Sequence, residues 1–168
     1  FLDIKKNIKH LKLPKKRFEF RGQLDDRNLY DDYAHHPNEI KETIKLGRLF
    51  IKQKNNNEPH KGRLIAIFQP HRYSRTKQFK KEFAEELSKA DIIYVTSIYG
   101  AGERNEDKIT SKIITDLIYK HNKNVCYINN YQEISKKFYE LTQKGDLILN
   151  MGAGDCHNFW SILNGENN

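Results

Sequence analysis

Four short apolar runs set the terms for what this chain can fold into: Arg63 to Phe68, Ile92 to Thr96, Val125 to Ile128 and Leu147 to Asn150. Each is too short for a helix and is bounded by polar residues, which predicts buried strands. Leu29 to Tyr33 is a fifth, more polar strand candidate, and Arg17 to Arg21 a short extra one. Between the runs, apolar residues recur at helical spacing: Ile40, Ile44, Gly47 and Ile51; Phe79, Phe83 and Leu87; Ile109, Ile113, Leu117 and Ile118; Ile134, Phe138 and Leu141. Asn130, with Glu133 three residues later, makes a capping box for the last of these helices, and Asp155 can cap a terminal helix carrying Phe159 and Leu163. Strands alternating with helices predict an α/β fold, a Rossmann-like open, mostly parallel sheet with helices on both faces.

Right-handed crossovers gather the C-terminal ends of parallel strands on one edge, and the loops divide accordingly. Lys52 to Lys61, Ser88 to Asp91, His121 to Asn124 and Thr142 to Gly145 are solvated connectors. The loops that follow strands are different: Asp31 to Pro37, Gln69 to Arg75, Ser97 to Glu103 and Met151 to Asp155 concentrate acids, imidazoles, arginines and glycines. In open α/β sheets ligands bind outside the carboxyl ends of the strands, so this asymmetry locates the site.

Asp31-Asp32-Tyr33-Ala34-His35-His36-Pro37 is the densest of these loops, and Pro37 suits the first position of the helix that follows. Free N–H groups and the positive end of the helix dipole favour an anionic or acceptor-rich ligand there; the plainer alternative is that the acids cap a turn and the histidines are solvated. In the second loop, Arg72 and Arg75 stand where a helix capped by Ser74 or Thr76 begins. Cations oppose the dipole at that end, so a negative group is expected to offset them: a ligand carboxylate or phosphate, or an acid on a neighbouring element. Gly100-Ala101-Gly102 and Gly152-Ala153-Gly154-Asp155 let backbone approach a ligand, but Asn105 and His157 stand where a dinucleotide motif needs its third glycine, and there is no P-loop. His35, His36 and His71 lack zinc-ligand spacing, and Cys156 beside His157 has no further activating group. Cys126, within a strand, reads as a small core residue.

At 168 residues the chain fits one ordinary domain with a short appendage. Residues 1 to 22 read as a leftover piece whose apolar Phe1, Leu2, Ile4, Ile8 and Leu11 pack elsewhere, and Gly22 to Asn28 as a polar connector; opening on Phe1 suggests a fragment. The formal charge of +8 comes from 30 Lys and Arg interspersed with 22 acids, and the phenylalanines fall at core spacings, so no nucleic-acid interface is indicated. No apolar run approaches membrane-spanning length and there is no signal peptide, which makes a reducing cytoplasmic setting the default.

Three stretches carry a family resemblance: Asp31 to Ile40, Phe68-Gln69-Pro70-His71-Arg72-Tyr73-Ser74-Arg75-Thr76, and Met151-Gly152-Ala153-Gly154-Asp155. Over nearly all of residues 17 to 168 the chain resembles the C-terminal domain of the Mur ligases of peptidoglycan synthesis, and among them the branch that joins L-alanine to UDP-N-acetylmuramate. A murein-peptide recycling ligase shares the acidic, double-histidine loop, while the Phe68 to Tyr73 loop points to alanine; a non-catalytic anion- or nucleic-acid-binding module is the reading from another class. The resemblance implies an ATP- and Mg2+-dependent, three-domain enzyme. Residues 1 to 28 would then be the remnant of the preceding central ATPase domain plus a linker, and 29 to 168 the amino-acid-binding domain. By position in the motifs, Asp32 and Tyr33 meet the ATP ribose, while His35, Arg72 and Arg75 hold L-alanine, His35 as a positioning group or base. The P-loop, the metal ligands and the UDP-sugar site belong to the absent domains, so the fragment alone is expected to be inactive.

Overall fold

The computed structural model describes residues 17–54 and 62–165. The expectations for Phe1 to Leu13, and most of the Lys52 to Lys61 connector, lie outside the described residues. Six strands form one sheet: β1 (Glu19–Leu24), β2 (Arg27–Asp32), β3 (Leu64–Phe68), β4 (Ile92–Val95), β5 (Val125–Tyr127) and β6 (Leu147–Met151). Their order is β1-β2-β6-β3-β4-β5, with β1 antiparallel to β2 and every other pairing parallel. The helices are α1 (Pro37–Lys54), α2 (Tyr73–Leu87), α3 (Lys112–Tyr119), α4 (Tyr131–Lys136), α5 (Phe138–Leu141) and α6 (Phe159–Leu163), the last entered through a 3-10 turn at Asp155–Asn158.

The two-residue period of the strands sorts the core into two layers. Leu64, Ala66 and Phe68 of β3, Ile93 and Val95 of β4, and Leu147, Leu149 and Met151 of β6 face Ile40 and Ile44 of α1, Phe83 and Leu87 of α2, and Ile114 and Ile118 of α3. Their neighbours Ile65, Ile67, Tyr94 and Ile148 face Ile134 of α4, Phe138 of α5 and Phe159 of α6. β3 and β6 are buried along their whole length, which is why they read as uninterrupted apolar runs. Gly47 lets α1 settle onto the sheet, since a Cβ there would stand 2.8 Å from Leu64 and 3.0 Å from Leu149.

The structure corrects several local expectations. Gly22 to Asn28 is not a connector: it contains the tip of a β1–β2 hairpin whose turn residues, Asp25 (φ 46°) and Asp26 (φ 60°), both have positive φ, as a two-residue type I′ turn requires. The boundary drawn at residue 28 therefore cuts this hairpin, and residues 19–28 belong to the same sheet as the rest. Ile109 lies outside α3, and the single helix expected through Ile134 and Leu141 breaks at Lys137 (φ −102°, ψ 10°). Asn130 does cap α4, its side chain accepting the Glu133 N–H. Cys126 is exposed rather than core, because β5 is the free edge of the sheet. No described helix is long and apolar enough to cross a membrane.

Candidate functional site

The loops after β2, β3, β4 and β6 meet at one edge of the sheet. At the end of β2, Asp32 turns inward: Oδ2 accepts from Phe18 N–H and Oδ1 from Ala34 N–H, both at 2.8 Å. The carboxylate thereby ties the bend just before β1 to the loop that carries the histidines, while the Tyr33 side chain stays exposed. Glu39, third in α1, reaches back to accept the His35 and His36 N–H groups at 3.0 and 3.2 Å, and the Arg17 guanidinium at 3.3 Å. Burial raises the Glu39 carboxyl, but the His35 N–H, the charge of His35 and Arg17 outweigh it and hold it below the usual range. His35 Nδ1 lies 2.8 Å from the Tyr33 carbonyl and 3.3 Å from Glu39. Both are acceptors, so Nδ1 carries a proton, and in the neutral tautomer Nε2 is the acceptor nitrogen.

At the end of β3, His71 packs edge-on against His35, with ring centroids 5.8 Å apart, and stacks on Tyr99 at 5.6 Å. Its Nδ1 is buried without a hydrogen-bond partner. Burial first, then the charges of Arg75, His35 and Arg72, lower its pKa, so near neutral pH the ring is uncharged. Arg72 has φ 71° and ψ 136°, a backbone state that a side chain opposes and that costs on the order of 1–3 kcal/mol. The neighbouring strand end holds it there. Arg72 N–H donates to Tyr99 O and Tyr99 N–H to Pro70 O, both at 2.8 Å, while Thr76 N–H and Oγ1 return to Arg72 O at 3.1 and 2.8 Å. Arg75, one turn on, has its Nη1 buried with no partner.

Neither Ser74 nor Thr76 caps α2. Glu103 does so from the β4–α3 loop, accepting Ser74 N–H at 3.0 Å and Ser74 Oγ at 2.6 Å. These bonds, led by the side-chain one and joined by the Arg72 charge, hold Glu103 below the usual carboxylate range. Part of the negative group that the two arginines call for is thus internal. It serves the helix end and Arg72, and leaves Arg75 unanswered.

The β6 loop closes the edge from the other side. Asp155 does not cap α6; its Oδ1 accepts from Gln69 Nε2 at 2.6 Å. At Gly154 a Cβ would stand 2.5 Å from Tyr99 and 2.6 Å from Gln69 Oε1, so only glycine lets these loops touch. Beneath them Asn150 Nδ2 donates to Asp31 Oδ1 at 2.8 Å and to Cys156 O at 2.7 Å. Burial pushes the Asp31 carboxyl up to about 6, against the pull of Asn150 and Arg21. Asp31 thus belongs to the foundation of the site.

Of the residues singled out in the sequence, the structure brings His35, Arg72 and Arg75 to one edge with His71, places Tyr33 at its rim, and buries Asp32 in backbone contacts. The sequence reading weighed His71 only as a zinc ligand and assigned nothing to Gln69, Tyr99 or Glu103. Among the described residues no group of three or more His, Cys, Asp or Glu side chains gathers to hold a metal ion. A hollow of about 470 Å3, lined by Arg63, Asp91, Tyr94 and Cys126, lies at the opposite edge and shares none of these groups.

Residues 16–154 match the family model described as Mur ligase, glutamate ligase domain. A UDP-N-acetylmuramate–L-alanine ligase of Prochlorococcus marinus subsp. pastoris is 65% identical over 168 residues, covering 99% of this chain and 36% of that protein. One from Caldanaerobacter subterraneus subsp. tengcongensis is 43% identical over 153 residues, covering 91% of this chain and 31% of that protein. The chain spans about a third of the length of these curated relatives. Among solved structures, a UDP-N-acetylmuramate-alanine ligase from Thermotoga maritima superposes with a TM-score of 0.68 at 24% identity, covering 90% of this chain and 29% of that one. A murein peptide ligase from Psychrobacter arcticus gives 0.66 at 22% identity, with the same coverages of 90% and 29%. At those identities the structural likenesses speak for the fold, and it is the family model, over most of the chain, that assigns it: this chain belongs to the Mur ligase family, as its glutamate ligase domain.

Proposed function

We propose that this chain is the amino-acid-binding domain of an ATP-dependent ligase that joins L-alanine to UDP-N-acetylmuramate. The observation that carries the reading is the buried Arg75 Nη1, which has no hydrogen-bond partner, at an edge where the Arg72 guanidinium likewise forms no ion pair among the described residues. A carboxylate placed between Arg72 and Arg75 supplies the missing acceptor through charge-assisted hydrogen bonds. The 65% identical relative, named for this reaction, supports the choice of alanine.

In that reaction the muramate carboxylate is phosphorylated by ATP, the alanine amine attacks the acyl phosphate, and ADP and phosphate leave. The role of this chain is positional. Arg72 and Arg75 hold the alanine carboxylate, and His35, with Nδ1 fixed by the Tyr33 carbonyl, presents Nε2 to the amine. An imidazole there orients the amine and accepts its proton as the amide forms. Neutral His71 fills the wall between His35 and Tyr99 without adding a charge that would repel an ammonium. The ATP ribose is placed beside Asp32 and Tyr33: the phenol ring is exposed, and each Asp32 oxygen, having accepted one N–H, retains acceptor capacity. Magnesium and the UDP-sugar are assigned to parts of the protein outside this chain, and the soluble, phosphorylated substrates place the reaction in the cytoplasm.

The test is ADP formation by the full-length protein in the presence of UDP-N-acetylmuramate. The reading requires it to depend on L-alanine, and alanine-independent turnover overturns it. The isolated chain should bind alanine weakly and form no product, because amine and acyl phosphate must be held together by both halves of the cleft.

A further inference from the structure

Helix α2 is not one straight rod. Phe79 (φ −107°, ψ 18°) departs from helical geometry, so residues 73–78, which carry Arg75, form a short piece set off from the part that Phe83 and Leu87 lock into the core. The direction of one turn follows from the next only while the dihedrals stay near helical values. What aims Arg75 must therefore act at the two ends of the short piece. At its start Glu103 holds Ser74, and Thr76 is tied back to Arg72 O at 3.1 and 2.8 Å. At its end the break rests on a side chain to which the proposed reaction assigns no role: the His36 ring meets Phe79 edge-on, with centroids 4.9 Å apart and planes at 65°.

His36 is itself held firmly. Glu39 accepts its N–H at 3.2 Å, Pro37 follows it, and its carbonyl accepts the Ile40 N–H at 3.0 Å as α1 begins. The ring is steadied by Asn38 N–H, which donates to Nδ1 at 3.4 Å. The Glu39 carboxylate that takes the His36 N–H also takes that of His35, at 3.0 Å. One acid thus fixes two neighbouring histidines, His35 at the ligand edge and His36 against the helix that presents Arg75. Phe79 in turn meets Phe83, with centroids 6.4 Å apart, so the contacts run from the histidine loop into the core.

We propose that His36 is a positioning residue: by bracing the break at Phe79 it sets the spacing between Arg75 and His35. This rests on the reading of Arg75 as the carboxylate anchor and of His35 as the contact for the amine, and it adds a residue that acts through the helix rather than on the substrate.

The experiment compares His36→Ala, His36→Phe and His36→Asn in the full-length protein, with Arg75→Ala alongside. His36→Ala is expected to raise the alanine KM about tenfold, the effect of a small misplacement of a binding group, and to leave the KM values for ATP and the UDP-sugar unchanged. His36→Phe keeps a ring against Phe79 and should recover most of the loss. His36→Asn keeps a short polar side chain for the turn but no ring, and should not. Phe79→Leu, which keeps bulk in the core, should act in the same direction as His36→Ala, and the double variant should be no worse than His36→Ala alone, since both break one contact. Rescue by asparagine, equal rises in all three KM values, or additive losses overturn the inference and leave His36 a local cap or a general stabiliser. An alanine KM that holds in His36→Ala but rises in Arg75→Ala overturns this inference alone, whereas one that moves in neither variant defeats the carboxylate reading beneath it. A second readout needs no turnover: the Arg75 side-chain N–H signal in the NMR spectrum of the intact chain should shift in His36→Ala and return in His36→Phe, and a signal indifferent to both also overturns the inference.

Discussion

The two edges of the sheet carry the same residue types and use them in opposite ways. At the edge where strands begin, arginines are answered: Arg63 binds Asp146 at 3.0 and 2.7 Å, Arg48 binds Asp91 at 2.6 and 2.9 Å, and Arg27 donates to Thr142 Oγ1 at 2.8 Å. At the edge where strands end, Arg72 and Arg75 form no ion pair among the described residues, Arg72 sits on strained backbone, and Arg75 and His71 hold unpartnered buried nitrogens. A buried polar group without a partner costs about 1–3 kcal/mol. The fold satisfies its arginines at one edge and tolerates this cost at the other, which is the contrast that the proposed carboxylate-binding role of Arg72 and Arg75 rests on.

The sharpest way to break the comparison is to truncate one arginine from the ligand edge. Arg75→Ala removes a donor with no intramolecular partner, so the thermal midpoint of the chain should hold or rise. If the full-length protein acts as proposed, its KM for alanine should climb about a hundredfold, the consequence of losing a charge-assisted carboxylate contact, with the KM for the UDP-sugar nearly unchanged. A fall in stability without a change in alanine KM would make Arg75 a structural residue. The mirror experiment at the other edge should give the reverse. Asp146 is fully buried and also accepts the Gln143 N–H at 2.7 Å, so Asp146→Ala strands two partners. Denaturant titration should show a loss of about 3 kcal/mol.

Between these extremes lies Asp31, buried and bonded on the ligand-edge strand β2, yet not aimed at a ligand. Its folded pKa, about 6, lies above the ordinary carboxylate value, so the native state binds its proton more tightly than the unfolded chain does. Stability from this group is therefore fully present below about pH 4 and is lost as the pH rises through about 6, a change on the order of 3 kcal/mol. Asp31→Asn still accepts from Asn150 and should flatten that slope and raise stability at pH 7. A steeper slope in the variant would show that the Arg21 contact, at 3.3 Å, outweighs burial.

How far the sequence revealed this contrast depended on how local each signal was. β3 and β6 were legible because burial on both faces leaves uninterrupted apolar runs, and the ligand edge because its loops differ in composition from the connectors. The β1–β2 hairpin was hidden by its turn: Asp25-Asp26 adopts the conformation that Asn-Gly usually announces. Cys126 was misread because an edge strand and a central one look alike at three residues. In the site, His35, Arg72 and Arg75 could be picked out by type and position. The roles of His71, Tyr99 and Glu103 could not, since each is defined by partners from another loop.

Glu103 is the extreme case, 29 positions from Ser74 with no spacing rule to connect them, and it supplies the smallest and most discriminating test. It holds the N-terminus of α2 through Ser74 while the same loop, through Tyr99 O, holds the strained Arg72. Ala101 (φ 51°) and Gly102 (φ 84°) form the tight turn that brings both contacts to one place. Two effects compete in Glu103→Ala. Removing a carboxylate near Arg72 favours an anionic ligand, whereas releasing the helix end frees Arg72 from the geometry that faces one. The screened charge acts at a distance across solvent, but the lost bonds act directly on the arginine loop, so release should win: the KM for alanine should rise about tenfold, the kind of change a small misplacement of positioning groups produces, with kcat and the ATP KM little altered. Glu103→Gln keeps one acceptor for Ser74 and should recover much of the loss. If alanine affinity instead improves in both variants, the carboxylate competes with substrate, and the arginine edge is partly satisfied from within.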